Sequence, residues 1–153
     1  NLLGAVAFGA AAEAATRDID GETVKLRALT EHLLAQLSAS IPGLRINGRR
    51  DASVANTLNL TFPAVLGETM LIALDLEGVE VSMGSACAAG SVEPSHVLLA
   101  MGRSAADALS SLRLSIGWNT STDEIAAAAE IIVRVWRRVS AAEPRLVAAQ
   151  YCP

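Results

Sequence analysis

Aromatic residues, cysteine and lysine are all scarce in this 153-residue chain. Aromatics make up 3% of the sequence and hydrophobic residues 52%, so a core must be built mainly from Leu, Ile, Val and Ala. Such a composition favours closely packed helices over an aromatic-rich β-sandwich. At this length the chain has enough apolar material for one globular domain and too little for two.

Two cysteines, Cys87 and Cys152, are too few for a disulfide framework, which favours a reducing compartment. No apolar run approaches the roughly 20 residues of a membrane-spanning helix. Residues 2–12 also lack the basic start of a signal peptide. We therefore expect a cytoplasmic protein that does not associate with membranes.

The charged residues and histidines argue against a nucleic-acid partner and against a metal site. The net charge is -4 and basic residues form no stripe, so nucleic acid is not an expected partner. Lys25 is the only lysine and lies on the polar side of a predicted helix, where we expect a solvated surface charge. His32 and His96 have no Cys, Asp or Glu at metal-ligand spacing, so no metal site is predicted.

Five helices are predicted from apolar periodicity and helix-ending residues. The first is an Ala-rich apolar helix that should pack on something, and the last has a capping-box pattern in Ser121 and Glu124. Because the chain begins at Asn1 and enters this first helix at once, we expect it to be a piece of a longer protein. The predicted helices cover residues 2–16, 22–40, 67–77, a short stretch between Pro94 and Gly102, and 121–139.

Two segments alternate apolar and polar residues with the period of a half-buried strand. They are residues 57–62 and 111–116, and shorter strands are predicted at 44–47 and 79–81. Few, short, half-polar strands among helices favour a small antiparallel or mixed sheet with helices mainly on one face. The predicted fold class is α+β.

A segment of small residues surrounds Cys87 and should form a loop. Its glycines permit wide backbone freedom, and its small side chains permit close approach to a ligand. The thiol is either reactive or incidental on this pattern alone. The nearest ionisable groups in sequence are Glu93 and His96, so a nucleophilic cysteine would need activation from elsewhere in the fold. The segment runs Gly84, Ser85, Ala86, Cys87, Ala88, Ala89, Gly90, Ser91.

Arg113 is predicted to face away from the core, because it alternates with Leu112 and Leu114 along a strand. It is either a solvated strand arginine or a residue that binds an anion.

Three segments together resemble group I cysteine desulfurases, pyridoxal-phosphate-dependent members of the class V aminotransferase family. Residues 84–87 and 90–98 resemble the family's active-site cysteine loop and the helix after it. Residues 56–62 and 112–117 match two other family segments in order and spacing. The resemblance covers nearly the whole chain.

The resemblance implies a role for each candidate residue. Cys87 would be the catalytic nucleophile that takes sulfur from L-cysteine as a persulfide and leaves L-alanine. Arg113 would bind the substrate carboxylate by a two-pronged contact. The flexible active-site loop that carries the thiol would comprise Gly84, Ser85, Ala86, Ala88 and Gly90.

The resemblance also implies what lies elsewhere. Residues 1–153 would form the C-terminal small domain, and the absent large domain would hold the Schiff-base lysine and pyridoxal phosphate. No cofactor-binding residue is then expected in this chain, and the segment alone should be inactive. Expected partners are that large domain, a homodimer partner and a sulfur-acceptor or scaffold protein serving iron-sulfur cluster assembly or tRNA thiolation.

Two alternatives remain at this point. A selenocysteine lyase or a cysteine-sulfinate desulfinase shares the fold, and neither the loop nor Arg113 separates their substrates from L-cysteine. The chain could also be a non-catalytic module that binds a sulfur-acceptor scaffold.

Overall fold

A three-stranded antiparallel sheet organises the computed structural model, which describes residues 1–84 and 93–142. The strands are β1 (Arg45–Ile46), β2 (Thr57–Thr61) and β3 (Ser111–Ser115), and β2 lies in the centre. The predicted α+β class and its small antiparallel sheet are confirmed.

Helices supply most of the remaining structure, and three of them cover one face of the sheet. Leu58 and Leu60 of β2, with Leu112 and Leu114 of β3, point into a core shared with these three helices, α2, α3 and α6. The helices are α1 (Leu2–Thr16), α2 (Ile19–Ser40), α3 (Gly67–Asp75), α4 (His96–Ala100), α5 (Ala105–Leu109) and α6 (Thr122–Ala142), with a 3-10 turn at Arg50–Ala52.

The structure differs from the sequence-based predictions mainly in three places. Helix α2 begins three residues before the predicted start, because Asp18 caps it by accepting from the Gly21 N–H at 3.2 Å. Residues 79–81, predicted as a strand, do not pair with the sheet. The next residue, Ser82, forms an isolated antiparallel bridge with Arg113. Residues 105–109, for which no helix is predicted from the sequence, form helix α5, which is capped by Ser104.

Helix α1 is exposed along its whole length. It is apolar on all sides, and none of its residues is buried in this structure. Leu3 is 84% exposed and Phe8 is 78% exposed. Its expected packing partner is therefore not among the described residues. No helix in the described part of the chain is both long enough and apolar enough to cross a membrane.

Helix α6 begins with the predicted capping box. The Glu124 N–H donates to Ser121 Oγ at 3.2 Å, and Glu124 Oε2 accepts from the Ser121 N–H at 2.8 Å. The bond from the Ser121 N–H, followed by the bond from the Ser121 hydroxyl, holds the pKa of Glu124 below its ordinary value.

We expect Glu124→Gln to reduce the loss of stability at low pH. The pKa of Glu124 is lower in the folded chain than its unfolded value of about 4.3. The carboxylate therefore stabilises the fold above about pH 4.3 and loses that effect as pH falls through the folded pKa. Thermal unfolding followed by circular dichroism from pH 7 to pH 3 measures this difference.

Asp123→Asn is the matched control, because it removes a charge from the same helical turn and leaves the capping box intact. Its thermal stability should fall between pH 7 and pH 3 by as much as that of wild type. Identical pH profiles for wild type and Glu124→Gln would contradict the role of the ionised cap.

Candidate active site

Arg113 lies near the middle of β3 on the polar face of the sheet. Its side chain is exposed and makes no hydrogen bond or ion pair with any other residue in 1–84 or 93–142. Its backbone is fixed, because its N–H donates to the Ser82 carbonyl at 2.7 Å and its carbonyl accepts from the Ser82 N–H at 3.0 Å. The predicted outward orientation of Arg113 is confirmed.

Four residues form a row across the sheet at this level. Asn59 of β2 is the register partner of Arg113, and Ser82 pairs with Arg113 on its other side. Asn47 extends β1 by one residue, since its N–H donates to the Asn59 carbonyl at 2.8 Å. The row therefore connects β1 to Ser82, two residues before Gly84.

A buried hydrogen-bond network holds one end of this row. Asn47 Nδ2 lies 2.8 Å from Asn59 Oδ1, 2.9 Å from Thr61 Oγ1 and 3.0 Å from Ser111 Oγ. Ser111 Oγ also donates to the Asp107 carbonyl at 2.6 Å. Asn47, Thr61 and Ser111 are all buried. Among the described residues, every buried side-chain polar atom has a hydrogen-bond partner. Buried hydrogen bonds of this kind make the polar face rigid.

An open cavity of about 360 Å³ lies over the row. Arg113 is the only charged side chain among the described residues that line it, so the cavity favours an anionic ligand. A planar guanidinium matches a carboxylate through two parallel N–H donors. The described lining residues are Asn47, Asn59, Gly84, Ser95, Val97, Leu98, Met101 and Arg113.

The predicted cysteine loop lies mostly outside the described residues. Gly84 is its described member, has a φ of +66° and lines the cavity. Ser95, in the segment after the loop, lines the same cavity. The members outside the described residues are Ser85, Ala86, Cys87, Ala88 and Gly90.

The described residues do not fit pyridoxal phosphate. A Schiff base with this cofactor needs a lysine, and Lys25 lies on α2, exposed, with its Nζ donating to the Trp118 carbonyl at 2.8 Å. Lys25 does not line the cavity around Arg113. Its predicted position at the surface is confirmed.

Sequence reasoning did not identify the polar residues that lie on the same face of the sheet as Arg113. Asn59 and Thr61 stand on the polar side of a predicted strand, and Ser111 stands on the next one. The same alternation of apolar and polar residues that predicted an exposed Arg113 could have placed these three residues on the polar face of the sheet. Asn47 could not have been found in this way, because its burial depends on the pairing of β1 with β2.

The family model for class V aminotransferases matches residues 1–127. The chain belongs to the class V aminotransferase family. Its curated relatives include the cysteine desulfurase IscS of Dictyoglomus turgidum, 34% identical over 144 residues, which are 94% of this chain and 36% of the relative. The IscS-like cysteine desulfurase of Mycobacterium tuberculosis is 38% identical over 133 residues, 86% of this chain and 34% of the relative.

Solved structures agree with the family assignment. An X-ray structure of a NifS-like protein from Rickettsia africae superimposes with a TM-score of 0.74 at 29% identity, covering 85% of this chain and 33% of that one. The cysteine desulfurase CsdA of Escherichia coli has the same fold, with a TM-score of 0.62 at 20% identity over 82% of this chain and 28% of that one. This class V aminotransferase chain spans about a third of the length of the curated relatives that it matches.

We expect Asn47→Ala to lower the free energy of unfolding by about 1–3 kcal/mol, because it leaves buried polar partners without their donor. The exposed Asn119→Ala should change it by less than about 0.5 kcal/mol. Urea denaturation followed by circular dichroism tests both variants. Equal stability of the two variants would show that the network contributes little.

Proposed function

We propose that this chain is the C-terminal small domain of a cysteine desulfurase, which takes sulfur from L-cysteine, leaves L-alanine and carries the sulfur as a persulfide on Cys87. The observation that carries the proposal is the position of Arg113, in a cavity that is also lined by Gly84, at the start of the predicted cysteine loop, and by Ser95, in the segment after it. The names of its relatives support the same activity.

Arg113 would bind the carboxylate of L-cysteine. The Arg113 side chain makes no hydrogen bond or ion pair with another described residue, and two hydrogen bonds to Ser82 fix its backbone. The guanidinium is therefore available to a ligand, while the position of its Cα is fixed. Arginine rather than lysine suits this task, because its planar fork engages both carboxylate oxygens.

Cys87 would be the nucleophile. Cys87 is three positions after Gly84 in the sequence, and an extended chain spans at most about 3.6 Å per residue, so the covalent chain limits the distance between their Cα atoms to about 11 Å. Gly84 lines the same cavity as Arg113, so the sequence position of Cys87 supports a role at that cavity. In the proposed step the thiolate attacks the substrate sulfur, an S–S bond forms, the substrate C–S bond breaks, and protonation of that carbon gives L-alanine.

The cofactor and further partners would lie outside this chain. Pyridoxal phosphate, an electron sink in such enzymes, would be bound by a large domain that contains the Schiff-base lysine. The exposed apolar helix α1 fits packing against such a domain, since a helix that is apolar on all sides is normally buried. A homodimer partner and a sulfur-acceptor protein in iron-sulfur cluster assembly or tRNA thiolation, in the cytoplasm, complete the proposal.

We expect Cys87→Ala to lower the sulfur-releasing activity of the full-length protein at least about 100-fold, because removal of a covalent nucleophile lowers kcat by orders of magnitude in other enzymes. Alanine release from L-cysteine and mass spectrometry of the persulfide are the measurements. Cys152→Ala is the control and should retain activity. Full activity of Cys87→Ala would refute the mechanism, and faster turnover of selenocysteine or cysteine sulfinate would change the substrate.

We expect Arg113→Lys to raise KM for L-cysteine roughly 10- to 100-fold, because a hydrogen bond to a charged group is worth about 1.5–3 kcal/mol. The charge is kept, so the effect isolates the two-pronged geometry. Arg137→Lys, an exposed arginine on α6, is the matched control. An unchanged KM in steady-state kinetics of Arg113→Lys would contradict a role in carboxylate binding.

A further inference from the structure

We infer that Asn59 is a second donor to the substrate carboxylate and acts beside Arg113. The inference rests on the proposed function and deepens it, because it adds a substrate-binding residue to the same cavity. It starts from the register of the sheet, in which Asn59 and Arg113 are direct partners on the polar face.

The two side chains stand at a close pair of the ladder. The backbone N–H and carbonyl of Arg113 both bond to Ser82, and the carbonyl of Asn59 accepts from Asn47, so Asn59 and Arg113 exchange no backbone hydrogen bond. Antiparallel partners of this type have Cα atoms only about 4.5 Å apart. Both residues line the 360 Å³ cavity, so one small ligand group can contact both.

The buried network decides which way the Asn59 amide points. Ser111 Oγ donates its single proton to the Asp107 carbonyl at 2.6 Å, so towards Asn47 it can only accept. The Asn47 atom that faces it must therefore be the NH₂ group. The same group lies 2.8 Å from the amide of Asn59, which must present its oxygen there.

The Nδ2 group of Asn59 is consequently turned away from Asn47. Among residues 1–84 and 93–142 it has no hydrogen-bond acceptor. An NH₂ donor next to a guanidinium, in a cavity whose described lining contains no carboxylate, is suited to an anion. Arg113 would supply the charge and Asn59 a directional third donor, which fixes the tilt of the carboxylate.

The test compares ligands with and without a carboxylate in the full-length protein. Asn59→Ala should raise KM for L-cysteine about tenfold while leaving KM for cysteamine, which lacks the carboxylate, within about twofold of wild type. Calorimetry with L-alanine should show a matching loss of affinity. A role in folding alone would affect L-cysteine and cysteamine equally, and that result would overturn the inference.

Asn59→Asp keeps the inference testable if the Ala variant does not fold. It retains the oxygen that accepts from Asn47 and replaces the outward donor with a negative charge, so L-alanine should bind more weakly than to wild type. Wild-type affinity for L-alanine would overturn the inference. Ser115→Ala, on the same face of β3 but outside the cavity, is the matched control and should behave as wild type.

The failures of the two proposals are distinguishable. If the wild-type protein does not turn over L-cysteine, the proposed function fails. If wild type is active and Arg113→Lys weakens L-cysteine binding, but Asn59→Ala does not, only the role of Asn59 is wrong.

Discussion

The antiparallel pairing of β2 with β3 determines both the hydrophobic core and the polar face of this structure. It turns Leu58, Leu60, Leu112 and Leu114 into the core and leaves Asn59 and its neighbours on the opposite face. A slip of one residue would exchange the two faces and bury polar side chains among the helices α2, α3 and α6. Burial of the leucines therefore also determines what lines the cavity.

Hydrogen bonds of Asn47 and Ser82 fix the positions of the polar residues on the other face of the sheet. Asn47 brings β1 into contact with both longer strands, and its amide is oriented through Ser111 by the Asp107 carbonyl. Ser82 pairs with Arg113 on the far side of the row and so fixes the point from which the chain enters the cysteine loop. A candidate substrate-binding side chain and the start of the candidate nucleophilic loop are thus held by the same backbone pair.

Periodicity was a good guide to the long elements and a poor one to the short ones. The strands around Leu60 and Leu114 and the capping box at Ser121 were predicted correctly, because their patterns span enough residues to be read locally. Helix α5 was missed, although Ser104 marks its start, since five residues carry little periodic signal. The prediction of a strand at 79–81 was wrong. The side chains of Val79 and Val81 pack against the core, which explains the apolar pattern, but the backbone pairs with β3 only at Ser82.

The α+β class, the two faces of the central strands and the outward direction of Arg113 could all be predicted from the sequence, because alternation of apolar and polar residues depends only on the pleat of a strand. The sequence motifs also indicated the family. The folded structure was needed to show that Asn47, Asn59 and Arg113 form one row and that Gly84 lines the same cavity. These residues are brought together by strand register and by a single backbone pair at Ser82, and neither leaves a periodic mark in the chain.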